Sequence, residues 1–161
     1  MIKKLILFII INQILILSAY ACSCDKLHKL KNSDIVDGQV IFIGVVVEVV
    51  RLDEITMKTS FRVEENLLDD EQISQTIDIW SIRDCEPHFK ENDKWYIFSE
   101  KRENKQWSGL CSRSAQLSDR IFEGFVLDKY LRKVKKGFDN SRKRAKREIK
   151  FFRKRKADNT R

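Results

Sequence analysis

The chain changes its hydrophobic rhythm several times. From Gln39 to Val50 it is almost continuously apolar and β-branched, with VIFIGVV at Val40–Val46, which predicts a buried strand. Gly44 inside that run predicts a bulge or sharp bend. Ile55, Met57, Thr59, Phe61 and Val63 then alternate with polar neighbours, and Ile73, Thr76, Ile77, Ile79 and Ser81 do so less cleanly. Both stretches predict strands with one wet face. KWYIFSE at Lys94–Glu100 predicts a fourth strand and Gln106–Cys111 a fifth. No helix long enough for a parallel crossover separates them, so the pattern predicts a small five-stranded antiparallel barrel or sandwich.

Helical spacing frames this β region. Leu27, Leu30, Ile35 and Val36 fall loosely on one face of a short helix within Asp25–Asp37. Ser118 is a candidate N-cap, with Asp119 favourable at the positive helix end, for a helix whose stripe is Ile121, Phe122, Phe125, Tyr130, Leu131 and Val134. Gly137 is the expected stop. Beyond it, Ala145, Ile149 and Phe152 keep helical spacing inside a dense basic field. The expectation there is a tail that is either helical or disordered.

Charge is distributed unevenly. The net of +8 at first points to a polyanion binder, but residues 129–161 hold 16 Lys and Arg against 3 Asp and Glu. That segment is +13, which leaves residues 1–128 at −5. With Gly 5 times and Pro once in 161 residues, collagen-like and Pro/Gly-rich disordered classes are excluded.

The first 21 residues read as an export signal: Lys3 and Lys4, an apolar run from Leu5 to Leu17, and small residues at Ala19 and Ala21. The run falls short of the roughly 20 apolar residues that span a bilayer. Cleavage after Ala21 starts the mature chain at Cys22-Ser23-Cys24 and places it outside the cell or in a periplasm. The alternative is lipid anchoring through Cys22. In an oxidising compartment Cys22, Cys24, Cys85 and Cys111 read as a disulfide framework. A Cys22–Cys24 bridge closes a strained ring, so the adjacent pair is expected to reach Cys85 and Cys111, in either order. Each such loop stabilises a domain by roughly 4 kcal/mol.

The ordered set resembles the netrin-like domain, and within it the tissue inhibitors of metalloproteinases, especially short bacterial members. It comprises CSC at the mature start, a VIFIGVV strand soon after, Cys85 following the third strand, KWYIF, and GLC at Gly109–Cys111. The resemblance covers roughly Cys22 to Val134, most of the mature chain. It implies an OB-fold-like barrel with a packed helix and Cys22–Cys85 and Cys24–Cys111 pairing. It also implies an inhibitory N-terminus, in which the Cys22 amine and carbonyl chelate a protease's zinc and Ser23 enters the protease's specificity pocket. A catalytic zinc keeps one position for water, which such a chelate displaces. The chain departs from the animal inhibitors in having fewer cysteines, no second subdomain, and Asp25-Lys26-Leu27-His28 where they carry proline-containing residues.

Three domain-level segments follow: a signal at 1–21, a netrin-like domain at 22–136 and a basic tail at 137–161. No HExxH, GxSxG or phosphate-cradling Gly-rich loop occurs, and His28 and His88 are the only histidines. The expectation is therefore a monomeric non-enzyme with no cofactor and no metal of its own. Trp80, Trp95 and Trp107 are expected in the core or on the barrel face. In the tail, Arg142, Lys143, Arg144, Lys146, Arg147, Lys150, Arg153, Lys154, Arg155 and Lys156 suit anionic lipid, lipopolysaccharide or an acidic glycan better than a specific nucleic acid. The second functional expectation is accordingly a non-inhibitory binding module attached to such a surface.

Overall fold

The computed structural model describes residues 27–68, 75–82, 89–109, 111–118 and 129–159. It is mainly β. Strands β1 (Ile41–Arg51), β2 (Thr56–Asn66), β3 (Thr76–Ile82), β4 (Lys94–Phe98), β5 (Glu100–Arg102), β6 (Lys105–Trp107) and β7 (Ala115–Gln116) form one mixed sheet. Its order is β5-β6-β3-β2-β1-β4-β7. One long helix, α1 (Lys129–Asn159), packs against it.

The sheet must curl. Five strand spacings separate β5 from β4, which in a flat sheet is about 24 Å. Yet only Ser99 lies between the two strands in sequence, a reach of about 7 Å from Phe98 to Glu100. Ser99 sits at this seam, fully buried, where its N–H and hydroxyl both donate to the Val40 carbonyl, at 3.1 and 2.9 Å.

The expected five-stranded antiparallel barrel is thus corrected to a curled sheet of seven strand segments with one parallel pair, β3 with β6, at Trp80 opposite Trp107. A parallel pair needs a crossover, and here β4 and β5 supply it in place of a helix. The fifth expected strand is shorter than anticipated, because β6 ends at Trp107. Among the described residues of that segment, 27–37, a single 3-10 turn forms, Asn32–Asp34, in place of the expected short helix. Asp34 explains this, since its carboxylate accepts the Lys31 N–H at 2.8 Å and ties the backbone into a local turn.

From Ile41 to Val46 β1 is apolar without alternation because both of its faces are covered, whereas Val47 beyond it is exposed. Ile41 and Ile43 join Tyr96 and Phe98 of β4 on one side, where Ala145, Ile149 and Phe152 of α1 close over them. Phe42 and Val46 point the other way, to Phe61, Ile79, Phe89, Trp95 and Ile97 inside the curl. Edge-to-face ring contacts run from Phe42 through Phe61 and Phe89 to Trp95. Trp95 belongs to this inner core, while Trp80 and Trp107 are half-buried.

Gly44 sits at a register shift between β1 and β2. A Cβ there would stand 2.8 Å from the Arg62 carbonyl oxygen and 2.9 Å from the Phe42 ring. Because a backbone atom cannot swing aside, Gly44→Ala is expected to cost about 1–3 kcal/mol. In urea, a lower midpoint with an unchanged slope reports it.

Gly137, read as a stop, lies inside α1 with nothing within 4 Å of its Cβ position. Glycine costs a helix about 1 kcal/mol, and burial of the next three turns outweighs that. The helix stripe from Asp119 to Phe125, and the side chains of Tyr130 and Leu131, lie outside the described residues. Among the described residues no helix is long and apolar enough to cross a membrane.

Candidate functional site

Of the residues expected to act, Cys22, Ser23, Cys24 and Cys85 lie outside the described residues, as does the leader. Cys111 is described, is exposed, and is not a free thiol. It shares a cavity of about 200 Å³ with Ile82, the last residue of β3, and with Trp107 and Ser112. Ile82 precedes Cys85 by three positions. The parallel β3–β6 pairing is what brings the end of β3 and the approach to Cys111 to the same end of the sheet.

Two residues beyond Cys111, Arg113 is almost fully buried. Its guanidinium holds three parts of the chain together. Nη1 donates to Glu148 Oε1 of α1 at 2.8 Å. Nη2 donates to the His28 carbonyl at 3.1 Å and faces Asp34 Oδ2 at 3.5 Å. The Phe98 ring lies 5.9 Å from the guanidinium carbon. Glu148, equally buried, accepts on its second oxygen from the Tyr96 hydroxyl at 3.1 Å. Arg144 Nη2 donates to the Arg113 carbonyl at 3.3 Å, and its side chain lies 4.0 Å from Glu148.

The electrostatics follow from the packing. Burial, then the adjacent Glu148 carboxylate, pushes the Tyr96 hydroxyl far above its ordinary range, so Tyr96 serves as a donor. Burial likewise pulls Arg144 down from its ordinary value. At the solvent side, the Lys31 N–H and then His28 Nε2, 3.0 Å from both oxygens, hold Asp34 below the usual carboxylate range. Apart from the buried Arg144 Nε, which makes no hydrogen bond, the donors and acceptors described here point at one another. Its chemistry is therefore positional: it fixes the segment at residues 28–34 against both the sheet and the helix.

No periodic pattern marks Arg113, which sits in a polar loop. Glu148 did leave a signal. Ala145, Glu148, Ile149 and Phe152 fall at i, i+3, i+4 and i+7, so the one acid of RKRAKREIKFFRKRK lies on its apolar face.

The ten basic residues separate into three sets. Arg153 forks onto Glu65 of β2 at 2.8 and 2.6 Å, and that pairing holds Glu65 below its ordinary range. Lys156 donates to the Asn66 carbonyl at 3.4 Å, and Arg142 lies 3.6 Å from Asp139. With Arg144 turned to Arg113, these four serve the fold. Arg155 is half-buried, whereas Lys143, Lys146, Arg147, Lys150 and Lys154 are exposed. Among the described residues no group of three His, Cys, Asp or Glu side chains is placed to hold a metal ion.

Neither the known protein-family models nor the curated proteins contain a match to this chain.

Proposed function

We propose that the chain is an exported netrin-like module that inhibits zinc endopeptidases through its mature N-terminus. In this reading the leader is removed after Ala21, Cys22 pairs with Cys85 and Cys24 with Cys111, and the Cys22 amine and carbonyl displace the water on a protease's zinc. The amine must lose its proton to bind, and its reference pKa of about 8 makes that inexpensive beside a metal. Small Ser23 then fits many pockets, which predicts a broad range of target proteases.

One observation carries the reading: the bond from Arg113 to the His28 carbonyl. It seats the fourth residue after Cys24 beside the second residue after Cys111, and Ile82, three before Cys85, lies at the cavity that Cys111 lines. Two cysteines separated by one residue can reach two partners only if those partners stand near each other. An N-terminus held in this way loses little ordering entropy on binding.

The curl of the sheet also favours an OB-type barrel. Counted as one strand bent at Ser99, β4 and β5 reduce the seven segments to six, and to five principal strands once the two-residue β7 is set aside; the seam at Ser99 brings the two sides of the sheet together.

The test is inhibition of a panel of zinc endopeptidases by protein beginning at Cys22. One alanine added before Cys22 is expected to weaken inhibition at least about 100-fold, or about 2.7 kcal/mol. Equal potency of the two forms removes the chelation mechanism.

A further inference from the structure

The outward face of α1 has no role in the fold and none in the inhibitor reading. Lys136, Lys143, Arg147, Lys150 and Lys154 recur at helical intervals along one line of the surface, with Lys146 beside them. All six are exposed, and among the described residues none of them makes an ion pair or hydrogen bond. Two acids of α1 flank this line: Asp139 already has Lys135 at 3.8 Å and Arg142 at 3.6 Å, and Asp158, four residues after Lys154, lines a cavity with it at the far end. From Lys136 to Lys154 the ridge is about 27 Å long, and from Lys143 onward its cations are spaced about 6, 4.5 and 6 Å apart along the axis.

We propose that this ridge binds a linear acidic polysaccharide, carrying a sulfate or carboxylate about every 5 Å. Three observations select that partner. The apolar stripe of α1 is already covered, with Ala145, Ile149 and Phe152 buried against the sheet, so the helix has nothing to insert into a bilayer. The aromatic beside the ridge, Phe151, is half-buried and packed edge-to-face on Phe152, so bases of a single-stranded nucleic acid have no exposed ring to stack on. Residues 22–128 carry −7, and a thin polymer lying along the helix avoids that acidic body while a broad anionic plane faces it.

Heparin serves as the probe, with phosphatidylglycerol vesicles and single-stranded DNA as the other arms. The protein is expressed from its full gene so that processing takes its natural course. It is compared with a variant carrying Lys143→Gln, Arg147→Gln, Lys150→Gln and Lys154→Gln. These side chains make no polar contact, so the variant should match the wild type in urea midpoint. The corresponding Lys→Arg variant at 143, 150 and 154 provides a second comparison and should bind heparin as the wild type does. Removing four cations is expected to reduce the slope of log affinity against log salt by about 3, taking ~0.7 per charge. Between 50 and 200 mM salt the wild type then loses about 50-fold more affinity than the glutamine variant. Equal heparin affinity and salt slope in both proteins overturn the proposal. So does binding to vesicles or DNA as tight as to heparin at the same salt, or failure of the wild type to bind heparin at all.

Discussion

Ending the chain at Gly137 is expected to abolish cooperative folding. The basic segment beyond it supplies Ala145, Ile149 and Phe152 to the core that also contains Ile41, Ile43, Tyr96 and Phe98. Truncating a buried phenylalanine alone costs about 3–5 kcal/mol, and a buried isoleucine about 2–5. The truncation also takes Glu148 and leaves the Arg113 guanidinium buried without its carboxylate, a further 3–5 kcal/mol or so. Even with partial overlap these losses reach the 5–15 kcal/mol that about defines the stability of a whole domain. Urea unfolding followed by circular dichroism checks it. The full chain should show a sharp transition and the truncated chain none; matching midpoints would make the helix an appendage.

Arg113→Met alone is expected to cost about 3–5 kcal/mol, because it strands a buried carboxylate. Adding Glu148→Leu should recover much of that loss, since a buried pair replaced by apolar side chains is often close to neutral. The double variant still lacks a donor for the His28 carbonyl. Its sheet should therefore stay folded while the segment from Leu27 to Lys31 loosens. Amide exchange separates the two effects: faster exchange confined to those residues is the expected result, and unchanged exchange there would show that Arg113 does not hold the segment.

What could be read from the residues divides along physical lines. β1 to β4 were legible because strand periodicity is a local property, and Gly44 announced its bulge. The parallel pairing of β3 with β6 was not legible, because it depends on the sheet curling until Ser99 joins its two sides. Gly137 misled because local helix cost was weighed without the tertiary burial that repays it three turns later. The charge of residues 129–161 was counted correctly but assigned a single purpose. Arg142, Arg144, Arg153 and Lys156 face the fold, and only their neighbours form a free ridge. A guanidinium in a loop such as Arg113 leaves no periodic trace, and only the acid on the helix's apolar stripe marked where its partner lay.

In the proposed inhibitor mechanism the working end of the molecule is Cys22. Mass mapping of the native protein's peptides, without reduction, tests this most directly. The predicted result is an N-terminal peptide that begins at Cys22 with a free amine and is cross-linked through Cys22 to the Cys85 peptide and through Cys24 to the Cys111 peptide. An acylated Cys22, a retained leader, or cysteines of the N-terminal peptide joined to neither partner would contradict it.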